Sequence, residues 1–589
     1  MKQFFKFMFA SALGMLLMFI LLFFIFLGII AGLVSSAGGE KATTISANSI
    51  LEIKLDEPLT ERTPNNPLKN IKFPSFDSKN QLGLYDIIKN IDKAAKDNNI
   101  KGIYLNLSNV QGGLASIEEI RNALLRFKES KKFIIAYSEE YAQNTYYLCS
   151  VADKVYLNPQ GAIDFKGYFT ELMFFKGMLS KLEIEPEVIR HGKFKSAIEP
   201  FIADKMSNEN REQVKRFVDV MWNHTLEKIA ESRHKPVDEL RLVADSLKVQ
   251  RAADAVTYGL ADQLAYQDEV VKILKEKSGT SVSEKLKLIS LGKYKHVAAK
   301  SSDYVKDKIA VVFAAGNISS GEGDDDGIGS ETTAEAIRKA REDNNVKAIV
   351  FRVNSPGGSA LASEVIWREV ALAHKVKPVV VSMGNLAASG GYYISCAADT
   401  IVAQPNTITG SIGVFGLLFN IKNLLNNKMG ITTDLYKTGT FSDIGMPTHP
   451  LSDAERQIIQ NSVEDVYGTF TQRVADGRNM KQADVDSIGQ GRVWSGEDAK
   501  RLGLVDVLGD FNDAIKIAAR MAKLENYRIT ELPEQKDPLE ELLKDLKEDI
   551  QMSYVKENFG EASAYYKSLK EILNMNGVQT RMMFDLVIK

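Results

Sequence analysis

Cysteine, histidine and net charge are all scarce in this sequence, and each scarcity removes a class of function. Two cysteines in 589 residues, Cys149 and Cys396, cannot build a metal cluster or a disulfide scaffold. Each follows a Tyr-Tyr pair in an apolar segment and reads as a small buried hydrophobe. The six histidines include no His-Glu-x-x-His zinc helix, and no Walker-type loop is present, so neither a metal nor any other cofactor is expected. With 74 basic against 76 acidic side chains the formal charge is -2, which offers no attraction for nucleic acid.

Charge is missing locally too. Between Phe7 and Gly39 there is no ionisable side chain, and Phe7 to Leu33 is dense in Phe, Leu, Ile and Met. A bilayer needs about 20 such residues, whereas the apolar part of a cleavable signal peptide runs to about 7–15. Residues 1–40 therefore read as a cytoplasmic tip and an uncleaved transmembrane anchor, although Ser35-x-Ala37 could mimic a cleavage site. Lys2 and Lys6 precede the span and Glu40 follows it, so the positive-inside bias puts the N-terminus in the cytoplasm. The body is expected on the extracytoplasmic, periplasmic face of the inner membrane.

The remaining chain exceeds one ordinary core, and it contains itself. Asp97-Asn98-Asn99-Ile100-Lys101-Gly102-Ile103 recurs as Asp343-Asn344-Asn345-Val346-Lys347-Ala348-Ile349, at 343 − 97 = 246. Tyr146-Tyr147 recurs as Tyr392-Tyr393, and Ala152-Asp153 with Pro159 as Ala398-Asp399 with Pro405, all at 246. Gly192-x-Phe194 matches Gly439-x-Phe441 at 247, and Gly259-Leu260-Ala261-Asp262 matches Gly503-Leu504-Val505-Asp506 at 244. Two repeats follow, at 50–275 and 308–525, joined by a Lys/Ser-rich linker over 276–307 and followed by a tail at 526–589. Within each, amphipathic segments alternate with β-rich runs, which predicts α/β units with a largely parallel sheet. The tail, Glu/Lys/Leu-rich over Leu539 to Met552, is expected to be helical.

Where the copies differ is where chemistry is sought. Gly384-Asn385-Leu386-Ala387-Ala388-Ser389-Gly390-Gly391-Tyr392-Tyr393 sets a serine among small residues between a strand and a helix, the logic of a nucleophile elbow without its Gly-x-Ser-x-Gly spelling. A helix cap would look the same locally. At 389 − 246 = 143 the first copy has Gln143, followed by Asn144 and Thr145, so the serine turn is not a requirement of the fold. A serine needs a base. In Gly192-Lys193-Phe194-Lys195-Ser196-Ala197-Ile198-Glu199-Pro200, Lys195 stands opposite Ser442 of the second copy. One copy has the lysine without the serine and the other the serine without the lysine, as if one site were split between them. To act as a base Lys195 must be desolvated, which lowers a lysine from its usual value near 10.4. His191 and Lys193 are the alternatives; Arg190, Lys193 and Glu199 read as solvated or wall residues.

With these residues in hand, the chain resembles the long, double-domain form of signal peptide peptidase A over nearly its whole length. The resemblance rests on Phe194-Lys195-Ser196-Ala197 with Glu199-Pro200-Phe201, on Asn354-Ser355-Pro356-Gly357-Gly358, and on Ala388-Ser389-Gly390-Gly391-Tyr392-Tyr393. It implies two tandem Clp-protease/crotonase-like repeats and a Ser/Lys endopeptidase that degrades remnant signal peptides and other apolar peptides. Ser389 would be the nucleophile and Lys195 the proton acceptor and donor. Backbone N–H groups of Gly357 or Gly358 and of Gly390 would form the oxyanion hole. It further implies a homo-oligomer, a tetramer, with neither metal nor cofactor. Two other readings stay open on sequence alone: an acyl-CoA hydratase or isomerase on a crotonase-like fold, and a non-catalytic membrane scaffold.

Overall fold

The computed structural model describes residues 2–38, 45–64, 82–298, 305–323, 327–535 and 578–582. The first repeat, together with part of the segment 276–307 expected as a linker, contributes strands β1 (Ser49–Ile53), β2 (Ile100–Asn106), β3 (Phe133–Tyr141), β4 (Lys154–Ile163), β5 (Glu185–Arg190), β6 (Gln263–Leu264) and, from that segment, β7 (Leu288–Ser290). Six of these form one sheet in the order β6-β4-β3-β2-β1-β7, with every pair parallel. The second repeat contributes β8 (Lys308–Ala315), β9 (Ile318–Ser319), β10 (Ile328–Gly329), β11 (Val346–Ser355), β12 (Gly357–Ser359), β13 (Val379–Ala388) and β14 (Thr400–Ala403). It continues with β15 (Ile408–Gly410), β16 (Phe415–Asn420), β17 (Val493–Ser495), β18 (Val507–Leu508) and β19 (Arg528–Leu532), and a last strand, β20, spans Val578–Arg581. Its main sheet runs β17-β15-β13-β11-β8-β19, with β14 joined to β13 and β18. Central strands such as β11 are buried almost throughout, which is why they read as continuous apolar runs rather than alternating ones.

The shared sequence is the shared scaffold. Asp97 Oδ1 accepts from Asn99 N–H at 3.0 Å, and Asp343 Oδ1 from Asn345 N–H at 2.8 Å, so each Asp-Asn-Asn is an Asx turn that launches a strand. Asp153 and Asp399 accept from Ile134 and Val379 at the start of the neighbouring strands, both at 2.8 Å. The Tyr146 hydroxyl donates to Leu260 O and the Tyr392 hydroxyl to Leu504 O, at 2.9 and 2.8 Å, pinning the helix after the third strand to the far Gly-Leu turn. Asp262 and Asp506 accept from Val155 and Ile401 in turn. Every one of these identities closes the same hydrogen bond twice.

A third sheet joins the halves, in the order β10-β9-β12-β20-β16-β5. β5 of the first repeat pairs antiparallel with β16 of the second over six residues, Arg190↔Phe415 to Glu185↔Asn420. Beneath it Ala197, Ile198 and Phe201 pack with Phe415 and Leu417. Arg528–Leu532, expected in a helical tail, is instead a strand parallel to β8. Arg-Ile-Thr-Glu-Leu alternates, and it completes the sheet edge as β7 completes the first sheet beside β1. The periodic stretch Leu539 to Met552 lies outside the described residues. At the other end Lys2–Gly38 is one helix, exposed along the apolar stretch Gln3–Ile25. Its 23 residues reach about 35 Å at 1.5 Å each, enough for a hydrocarbon core of about 30 Å.

Candidate active site

β13 runs into the helix Gly390–Ser395 through a single residue, Ser389, whose φ of 57° and ψ of −114° lie where a non-glycine residue is strained. In the first repeat the same junction, from β3 into the helix Gln143–Cys149, passes through Ala142 at φ −60°, ψ 151°, without strain. Gln143 there caps a loop, accepting from the N–H groups of Lys166 and Gly167. The elbow is thus an addition to the fold. Gly391 lets it approach β11: a Cβ there would lie 2.7 Å from Ser355 O.

Lys195 arrives from the other repeat. Its segment is tied to the second repeat by Phe194 N–H donating to Gln490 O at 3.0 Å, and Gln213 Nε2 donates to Ser196 Oγ at 2.8 Å. The aliphatic stem passes between two glycines: a Cβ on Gly491 would fall 2.6 Å from Lys195 Cβ, and one on Gly413 would fall 3.2 Å from its Cδ. The chain ends with Nζ 2.8 Å from Ser389 Oγ, 3.2 Å from Ser411 Oγ and 3.3 Å from Ser411 O. Lys195 is 1% exposed and Ser389 0%. Burial, with no carboxylate to offset it, lowers the Lys195 ammonium to about 7.

The glycine turn lies on the other side of the elbow. A Cβ on Gly357, whose φ is 101°, would fall 2.7 Å from Gly390 N, so the two residues share one niche. Gly357 N–H donates to Ser355 Oγ at 3.1 Å. Gly390 opens its helix, where the first N–H groups have no carbonyl within the helix to bond. The first repeat has its own double glycine, Gly112-Gly113, at 357 − 112 = 245, so the glycine turn belongs to both copies and only the elbow serine separates them here.

The alternatives are engaged elsewhere. His191 Nδ1 is 2.6 Å from Glu464 Oε2 and the ring stacks on Tyr467, while Lys193 is exposed. Ser442 sits exposed in a loop. Glu199, read from sequence among solvated or wall residues, is 5% exposed and accepts from Asn210 Nδ2 at 2.8 Å and from Ser207, which fixes the turn after Lys195. Ser411 was not singled out by sequence. Its signal lay in the same asymmetry, because 411 − 246 = 165 is Phe165, a buried ring packed on Tyr146 and Trp222 that takes its place in the first repeat. Both cysteines are buried and free, with burial pushing the Cys396 thiol up to about 12.

The model of peptidase family S49 matches residues 126–281 and 371–525. The chain belongs to peptidase family S49. The two matched stretches begin 371 − 126 = 245 residues apart, the spacing of the internal repeat. Protease 4 of Salmonella typhi is 40% identical over 524 residues, covering 86% of this chain and 84% of that protein. The chloroplastic serine protease SPPA of Arabidopsis thaliana is 33% identical over 85% of this chain and 74% of its own length. Among solved structures, a ClpP1 mutant from Listeria monocytogenes covers 35% of this chain and 94% of its own at 15% identity and a TM-score of 0.24. As an S49 member the chain is a serine peptidase, and the acyl-CoA and scaffold readings fall away.

Proposed function

We propose that the protein is a membrane-anchored endopeptidase in which Ser389 is the nucleophile, Lys195 the general base and acid, and remnant signal peptides the substrates. The observation that carries this reading is a lysine from one repeat 2.8 Å from a strained serine of the other, with both buried. A neutral amine has one lone pair and two N–H groups. Its lone pair receives the Ser389 proton as Oγ attacks the scissile carbonyl, while the N–H groups point to Ser411 O and Oγ. The resulting ammonium then protonates the departing amine, and the same group activates water against the acyl-enzyme. Amides of the Gly357-Gly358 turn and of Gly390 would stabilise the oxyanion. The helix Gln3–Ile25 would hold the body beside the bilayer, N-terminus in the cytoplasm, where apolar remnants remain after preprotein processing. A homotetramer is the proposed assembly.

The test is to label the detergent-solubilised protein with a fluorophosphonate serine probe while following hydrolysis of an apolar peptide. Ser389→Ala should abolish labelling and hydrolysis, and Lys195→Met should lower hydrolysis by roughly 10²–10⁴-fold with folding intact. Labelling that survives Ser389→Ala would remove the nucleophile, and hydrolysis that survives Lys195→Met would remove the base.

A further inference from the structure

The loop that carries Lys195 in the first repeat has a counterpart in the second, between β16 and the helix Asp453–Arg478. That helix begins and ends 245 residues after Asn208–Arg233, at 453 − 208 and 478 − 233, and each is capped by a serine, Ser207 and Ser452. In the first repeat a carboxylate and an amide hold the loop to the helix, Glu199 Oε2 accepting from Asn210 Nδ2 at 2.8 Å. At 210 + 245 = 455 the second repeat has Glu455, so the donor has become an acceptor. The loop residue that meets it, Asp443, is a second carboxylate.

Facing carboxylates repel, and here both are buried, Asp443 at 5% and Glu455 at 4% exposure. Glu455 Oε2 accepts from the N–H and the hydroxyl of Ser452, at 2.9 and 2.7 Å. Glu455 Oε1 and Asp443 Oδ1 have no hydrogen-bond partner among the described residues. His449 completes the group. Its Nδ1 donates to Pro450 O at 3.1 Å, and since a carbonyl can only accept, the neutral ring has its lone pair on Nε2. Nε2 is 2.9 Å from Asp443 Oδ2 and yet makes no hydrogen bond among the described residues. One ligand atom from each of the three side chains thus lies within 4.8 Å of the other two. Lys437 Nζ stands 2.6 Å from Asp443 Oδ2, but its side chain is 38% exposed, and it leaves Glu455 Oε1 unmatched.

We propose that Asp443, His449 and Glu455 bind a divalent transition-metal ion, zinc, that pins this loop to its helix as the Glu199–Asn210 bond pins the other. Two carboxylate oxygens and one imidazole nitrogen are a donor set that zinc accepts, with water as a fourth ligand. The groups behind the ligands are already placed: Pro450 O orients the ring and Ser452 orients the Glu455 carboxylate. The ion offsets both buried carboxylates and releases Lys437 to solvent. Its role is structural, and no step at Ser389 or Lys195 passes through it. The ligands are spelled Asp-x5-His-x5-Glu along a loop, a pattern unlike the compact zinc motifs of a single helix.

The experiment is elemental analysis of the full-length protein in detergent, stripped with a chelator, incubated with Zn²⁺ and freed of unbound metal, with thermal unfolding followed with and without the ion. Wild type should retain one zinc per chain at this site and melt at a higher temperature with it. His449→Ala and Glu455→Asn should each retain one fewer and lose the shift. Glu455→Asn restores the amide that Asn210 supplies in the first repeat, so it should fold without metal, and its loss of zinc then reports the missing ligand rather than unfolding. His374→Ala, which alters a separate histidine–carboxylate pair, should bind zinc as wild type does. Wild type that retains no zinc, or zinc content and melting unchanged by His449→Ala and Glu455→Asn, would overturn the proposal, and neither result bears on the Ser389/Lys195 reading.

Discussion

At Lys195 two requirements pull against each other, since a base must be neutral near pH 7 and a lysine in water is not. Burial resolves the conflict by desolvating the ammonium, and the absence of a paired carboxylate keeps it resolved. With Lys195 as the proposed base, below about 7 the amine is protonated and cannot accept the Ser389 proton, and above it the base is available. The value of kcat/KM should therefore rise with pH through about 7. Ser411 should tune this midpoint, because its two oxygens accept from Nζ and hydrogen bonds from an ammonium are stronger than those from an amine. Ser411→Ala should move the rising limb to lower pH and reduce the plateau about fivefold, the worth of about 1 kcal/mol. A pH–rate profile at constant ionic strength checks both; a Ser411→Ala profile that superimposes on wild type would deny Ser411 this role.

At the scale of elements, much was legible because the chain repeats itself. Identities at a fixed offset marked hydrogen bonds that both copies need, and departures marked the junctions where Ser389 replaces Gln143 and Lys195 replaces Ser442. What stayed illegible was contact between the copies. Nothing in β11 announces that Arg352 is buried between Glu61 and Glu119 of the first repeat, at 2.8 and 2.7 Å. Burial raises the Glu119 carboxyl to about 8 despite Arg352, so the triad sits near charge balance at neutral pH. Glu61 also accepts from Asn354 Nδ2 at 2.8 Å, and Asn354 Oδ1 accepts from Leu386 N–H at 3.1 Å, which ties the glycine turn to the strand that carries Ser389. Glu61→Ala strands a buried guanidinium and frees that turn. It should destabilise the protein by about 3–5 kcal/mol, read by denaturant unfolding, and lower peptide hydrolysis under conditions where the variant is still folded. Unchanged stability would mean that solvent reaches Arg352.

The whole molecule is a scaffold duplicated and then divided in its labour. The first repeat spends its elbow position on Gln143 and its Ser411 position on Phe165 and keeps the lysine; the second keeps the elbow and Ser411. On the proposed dyad, activity depends on the fit between halves. That fit is held by the β5–β16 ladder, by Arg216 on Asp498 at 2.8 and 2.9 Å, by Arg126 on Asp510, and by Asn385 donating to Ser116 Oγ at 2.7 Å. These contacts are numerous and spread over several elements, so the covalent link between the repeats should not be needed once both have folded. Residues 45–298 and 305–589 made as separate chains should each fail to hydrolyse an apolar peptide, one for want of Ser389 and the other for want of Lys195. Co-expressed, they should co-purify and recover hydrolysis, and Lys195→Met in the first chain alone should abolish that recovery. Hydrolysis by the second chain on its own would place the base within the second repeat and end the argument for a divided site.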